Sequence, residues 1–190
     1  VFGSTSMHLM RKCPCPVWVM SPAQRHKHAR VLAAVDPVTS DEAHQALNVK
    51  IMELAISLSR TEGSELHVVH AWRPFTERLV PLGSRLSQEE KEKVDQEWAA
   101  SHECVFSELL QKFDMQDLRV QAHLVKGEAG EIIPALARNK HIDVIVMGTV
   151  CRTGIAGLFI GNTAEKVLRR VNCSVLTVKP EGFATPVKLE

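Results

Sequence analysis

Ile145-Val-Met-Gly148-Thr-Val-Cys-Arg-Thr-Gly154-Ile-Ala-Gly157-Leu-Phe-Ile-Gly161-Asn-Thr163 is a buried-type strand, a glycine-punctuated loop and the start of a helix. That order is the grammar of a phosphate cradle. A helix N-terminus carries unpaired N–H groups and a partial positive charge, and glycines let the backbone approach an anion closely. Gly148, Gly154, Gly157 and Gly161 are expected to supply that permissiveness. The pattern is neither GxGxxG nor the P-loop, since no GK[ST] follows.

The spacing resembles that of the universal stress protein family, whose motif here is G-x2-G-x9-G-[ST]. Gly148, Cys151, Gly161 and Asn162 fall on its four fixed positions. Gly148 and Gly161 match; Cys151 replaces a glycine, and Asn162 replaces the hydroxyl residue, with Thr163 beside it. Gly148-Thr-Val, Arg152-Thr-Gly154, Gly161-Asn-Thr-Ala164 and Lys179-Pro-Glu-Gly-Phe-Ala-Thr-Pro186 resemble the tandem, E-type branch of that family.

Upstream of this stretch the chain alternates strands and helices. Val31-Leu-Ala-Ala-Val35, stopped by Asp36-Pro37, reads as a first buried strand. Ser40 or Asp41 caps a helix to about Arg60, closed by Gly63, and Glu65–Ala71 is the second strand. Residues 72–86 read as a surface connection. Ser87-Gln-Glu-Glu90 is a capping box opening a helix to about Phe113, with Val94, Trp98, Val105, Leu109 and Phe113 as its inner face. Arg119–Lys126, Asp143–Gly148 and Ser174–Lys179 are the remaining strands, separated by helices over Glu131–Asn139 and Thr163–Arg170. Strands separated by helices imply parallel pairing with right-handed crossovers. The resemblance implies an open parallel five-stranded α/β sheet, strand order 3-2-1-4-5, with helices on both faces. Its crevice would lie between strands 1 and 4, the topological switch point where such sheets bind ligands.

The start of the chain repeats its end. Residues 3–22 align without gaps on 161–180 at an offset of 158, with Gly3/Gly161, Thr5/Thr163, Arg11/Arg169, Cys15/Cys173, Val17/Val175 and Pro22/Pro180 identical. Residues 1–22 are therefore expected to be the last helix and strand of a preceding, similar domain. Residues 23–29 are a basic linker, 30–180 the family domain and 181–190 a tail. The absence of an initiator Met fits a fragment or a processed product. In tandem relatives the fifth strands of two domains pair antiparallel. Val17-Trp-Val19 is accordingly expected to pair with residues 174–178 of its own chain, as an intrachain pseudo-dimer, or to exchange into a homodimer.

The resemblance assigns an adenine-nucleotide site: ATP, or AMP or ADP, with Mg as a companion. Asp36 would contact the adenosine part, although an Asp before Pro is also an ordinary turn residue. Ala71 and Met147 match base-contacting positions, and both types also suit a plain core. Gly148, Cys151, Gly161, Asn162 and Thr163 would hold the phosphates, with N–H groups of Gly161, Asn162 and Thr163 touching them. Arg152, the basic side chain of the loop, pairs with a phosphate or with a nearby carboxylate. No catalytic residue is assigned. His70 and His123 read as half-buried strand histidines, and Cys13, Cys15, His26 and His28 lack zinc-type spacing, so the cysteines read as packing residues.

Composition narrows the function classes. The 190 residues carry a net charge of +1, which gives no electrostatic grip on nucleic acid or an anionic membrane. Apolar runs such as Val144–Met147 fall far short of the ~18 residues that span a bilayer, and no signal-peptide pattern opens the chain, so a cytoplasmic location with reduced thiols is expected. Three functions fit: a nucleotide-binding stress-response module, a nucleotide-free scaffold acting through an unknown protein partner, and, more weakly, a slow ATPase or nucleotidyl-transferring enzyme.

Overall fold

The computed structural model describes residues 2–21, 29–39, 41–78, 87–149, 161–183 and 185. Five parallel strands form its centre: β2 (Arg30–Ala34), β3 (Glu65–Trp72), β4 (Val120–Lys126), β5 (Val144–Gly148) and β6 (Ser174–Val178). Their order is β4-β3-β2-β5-β6, the expected 3-2-1-4-5 counted from β2. Among the described residues the sheet nevertheless has six strands, not five. β1 (Val17–Val19) joins the edge beyond β6, antiparallel to it. β2 and β5 are apolar almost throughout because helices cover both faces of a parallel sheet.

Among the described residues six helices accompany the strands: α1 (Ser4–Lys12), α2 (Glu42–Glu62), the single turn α3 (Phe75–Arg78), α4 (Gln88–Gln111), α5 (Ala129–Asn139) and α6 (Asn162–Arg170). One core layer joins Met10 of α1, Ile133 and Ala137 of α5, and Val167 and Leu168 of α6 to Leu32, Ile145 and Val175. The opposite layer joins Ile51, Met52 and Ala55 of α2 and Phe106 and Leu109 of α4 to Val31, Leu66 and Val146. Local signals set the helix ends. The Asp41 carboxylate accepts from Ala43 N at 3.0 Å, and Gly63, at φ +66°, takes the left-handed turn that stops α2. Ser87 and Glu90 form the full capping box of α4. The inner face of α4 differs from the apolar one expected. His102, Phe106 and Leu109 are its buried residues, while Val94, Trp98, Val105 and Phe113 are half-buried.

β1 and β6 pair Val17 with Thr177, Trp18 with Leu176 and Val19 with Val175. Under the 158-residue offset, Trp18 is the counterpart of Leu176, Val17 of Val175 and Val19 of Thr177. The register is therefore symmetric about the Trp18–Leu176 pair, as two equivalent strands related by a local two-fold axis would be. The helices preceding the two strands match as well: Met10 and its counterpart Leu168 are both fully buried in the same core layer.

Candidate functional site

Parallel strands with helices on opposite faces diverge where the chain order reverses, here between the carboxyl ends of β2 and β5. A crevice of about 400 Å³ opens at that point. Asp36, Ala71, Met147, Gly148, Gly161, Asn162 and Thr163, far apart in sequence, all line it. Cys151 and Arg152 lie outside the described residues, as do Gly154, Gly157, His26 and His28. The lining also includes residues not singled out from sequence: His44 and Asn48 of α2, Trp72, His102, and the turn Gly127–Ala129 between β4 and α5.

Asp36 is held through its backbone. The buried Asn48 side chain accepts from Asp36 N at 2.9 Å and donates from Nδ2 to Asp36 O at 2.8 Å, so one amide clasps both polar groups of that peptide position. Asn48 reaches it because α2 returns over β2, and Oδ1 and Nδ2 present the acceptor and donor side by side. The Asp36 side chain itself is exposed at the crevice.

At the other wall, Gly161 precedes α6 and its N–H donates to Thr149 O at 2.9 Å, fastening the helix start to the end of β5. That corrects one expectation: the Gly161 N–H is committed within the protein, which leaves Asn162 and Thr163 as first-turn donors. The Lys179 ammonium donates to Thr149 Oγ1 and lies 4.7 Å from the centre of the Phe183 ring. Burial pulls its pKa down to about 8. Glycine serves here by closeness, not by unusual φ. Gly148 and Gly161 are outside the left-handed region, but a Cβ on Gly148 would come within 2.8 Å of Leu47 Cδ2. Among the described glycines that line the crevice, the one at positive φ is Gly127, at φ +144°.

The base of the crevice carries a histidine pair. His70 Nε2 and His102 Nδ1 are 2.7 Å apart with stacked rings, and Trp98 meets His102 edge-on with centroids 5.1 Å apart. His70 is fully buried, not half-buried, and His123 stacks on a second buried histidine, His67. Burial, reinforced by the neighbouring His102, lowers the His70 pKa from 6.5 to about 4. The unfolded chain therefore binds more protons than the folded one between these values, so stability is lost as pH falls through that window. His70 alone is expected to cost about 2 kcal/mol between pH 7 and pH 5, at ~1.4 kcal/mol per pH unit below 6.5. Urea unfolding at the two pH values should show this loss, and His70→Asn should reduce it; a wild-type stability flat across the range would refute the assignment.

Among the described residues no helix is long and apolar enough to cross a membrane, and no group of three or more His, Cys, Asp or Glu is placed to hold a metal ion.

Residues 28–179 match the model of the universal stress protein family. The chain is 34% identical over 191 aligned positions to Universal stress protein E of Escherichia coli K12, covering all of this chain and 59% of that protein. It thus spans about three-fifths of the length of such curated relatives. A functionally unknown protein from Pseudomonas aeruginosa PAO1 superposes with a TM-score of 0.67 at 29% identity, over 96% of this chain and 58% of that one. A universal stress protein crystallised in complex with cAMP shares the fold at a TM-score of 0.51 and 17% identity, over 81% of this chain and 98% of that one. A parallel sheet of the expected order, the match over residues 28–179 and these relatives agree: the chain belongs to the universal stress protein family.

Proposed function

We propose that the crevice binds an adenine nucleotide, ATP above all, and that the protein acts in the stress response as a nucleotide-dependent regulatory module. One observation carries this reading: seven of the nine residues that sequence resemblance nominates line a single crevice at the switch point. Its volume, about 400 Å³, lies within the ~300–1,000 Å³ typical of small-molecule sites. The cAMP complex of a protein with the same fold adds support for an adenine-containing ligand. Asp36 takes the adenosine part, Ala71 and Met147 flank the base, and Asn162, Thr163 and Arg152 take the phosphates, with Mg accompanying a triphosphate.

The test is titration of the purified protein with ATP and AMP, together with analysis of nucleotide that copurifies. Asp36→Ala should weaken ATP at least tenfold, the worth of a hydrogen bond to a charged group, about 1.5–3 kcal/mol. Its thermal unfolding should stay close to wild type because the side chain is exposed. Cys151→Gly, restoring the family glycine, should tighten binding about fivefold, roughly 1 kcal/mol. A folded wild-type protein that binds neither nucleotide would overturn the reading.

A second reading, a scaffold working through a protein partner, is favoured by a different observation. Leu9, Trp18 and Met20, on and around β1, are exposed large apolar residues. In both readings α1 and β1 are the last helix and strand of a preceding similar domain, and the symmetric β1–β6 register supports that organisation.

A further inference from the structure

The first turn of α2 brings a carboxylate and an imidazole together beside the crevice. Asp41 Oδ2 and His44 Nδ1 are 2.5 Å apart, and the His44 ring lines the crevice with Asp36, Asn48 and Asn162. The other Asp41 oxygen is fixed by Ala43 N, and Asp41 N donates to Thr39 Oγ1 at 3.2 Å, so the carboxylate has one orientation. An ionised carboxylate only accepts, so the proton between the two groups belongs to Nδ1, and whenever the ring is neutral its lone pair is on Nε2. Nε2 is buried and meets no hydrogen-bond partner among the described residues. A buried acceptor left without a donor is costly, so the position is built to receive one.

We infer that His44 Nε2, oriented by Asp41, accepts a hydrogen bond from an O–H or N–H donor on the nucleoside part of the crevice's ligand. The inference rests on the nucleotide reading above and deepens it, making His44 a binding residue and Asp41 its positioning residue. For an adenine nucleotide the donor is a ribose hydroxyl or the exocyclic amino group.

Isothermal titration with ATP, 2′-deoxy-ATP, 3′-deoxy-ATP and inosine triphosphate identifies which. On the wild type, the one analogue lacking the donor should bind about fivefold more weakly than ATP, the usual worth of one hydrogen bond. On His44→Ala, ATP should weaken by a similar factor and that analogue should no longer differ from ATP. Asp41→Asn keeps a helix cap yet frees the tautomer, so it should shrink the same difference while the other analogues keep their wild-type ratios. Thermal unfolding of both variants reports that they are folded. Ratios among the four ligands unchanged in His44→Ala would overturn the role of His44 while leaving the nucleotide site standing. A wild type that binds none of the four would remove both.

Discussion

Deleting residues 1–21 is expected to cost the protein several kcal/mol and its solubility. The deletion removes Met10, fully buried against α6 and β6, and with it Phe2, Met7, Val17 and Val19, which pack on the same core layer. Burying one such side chain is worth roughly 1.5–3 kcal/mol, and a whole domain holds only about 5–15 kcal/mol. The deletion also strips β6 of its antiparallel neighbour, leaving Ser174–Val178 as an open apolar edge, a template for pairing with another chain. The truncated chain should therefore aggregate, or self-associate by pairing two β6 edges about a two-fold axis, and unfold at least ~10 °C lower. Light scattering and thermal unfolding measure this. A truncated protein that is monomeric, equally soluble and equally stable would mean that α1 and β1 are accessory.

Replacing Asn48 by Leu should damage stability and binding together. The substitution keeps roughly the same volume but leaves the Asp36 N–H and C=O without the partners they have at 2.9 and 2.8 Å. Each unsatisfied group costs about 1–3 kcal/mol when buried, so a loss of about 2–4 kcal/mol is expected for this part-buried pair. ATP affinity should drop at least tenfold as Asp36 loses its placement. Urea unfolding and titration report the two effects separately. A stability change under ~0.5 kcal/mol would show that the clasp contributes little.

The path from sequence to fold was direct where periodicity and local chemistry agree. Alternating apolar strands and capped helices specify a parallel sheet, and Asp41, Gly63 and Ser87–Glu90 mark helix ends through their own hydrogen bonds or dihedrals. The pairing of β1 was legible only from the 158-residue repeat, because a three-residue strand carries too little pattern of its own. The walls of the crevice were harder to read. Asn48 lies 12 residues beyond Asp36 and looks like a polar helix residue until α2 folds back over β2. His102 carries no sequence signal of burial because an inner helix face is marked by apolar types, whereas a histidine is buried here by stacking and hydrogen bonding to His70. Among the described glycines of the crevice, positive φ is used at Gly127, in the turn between β4 and α5, while Gly148 is small because Leu47 crowds it.

A nucleotide in the crevice at the ends of β2, β3 and β5 would cover the backbone N–H groups that line it. Hydrogen exchange of the full chain, with and without saturating ATP, tests this by location. Slower exchange is predicted at residues 35–38, 70–73, 127–130 and 161–164, with residues 17–19 and the α5–α6 C-terminal ends unchanged. Protection absent from these four segments, or confined to the far end of the sheet, would contradict it.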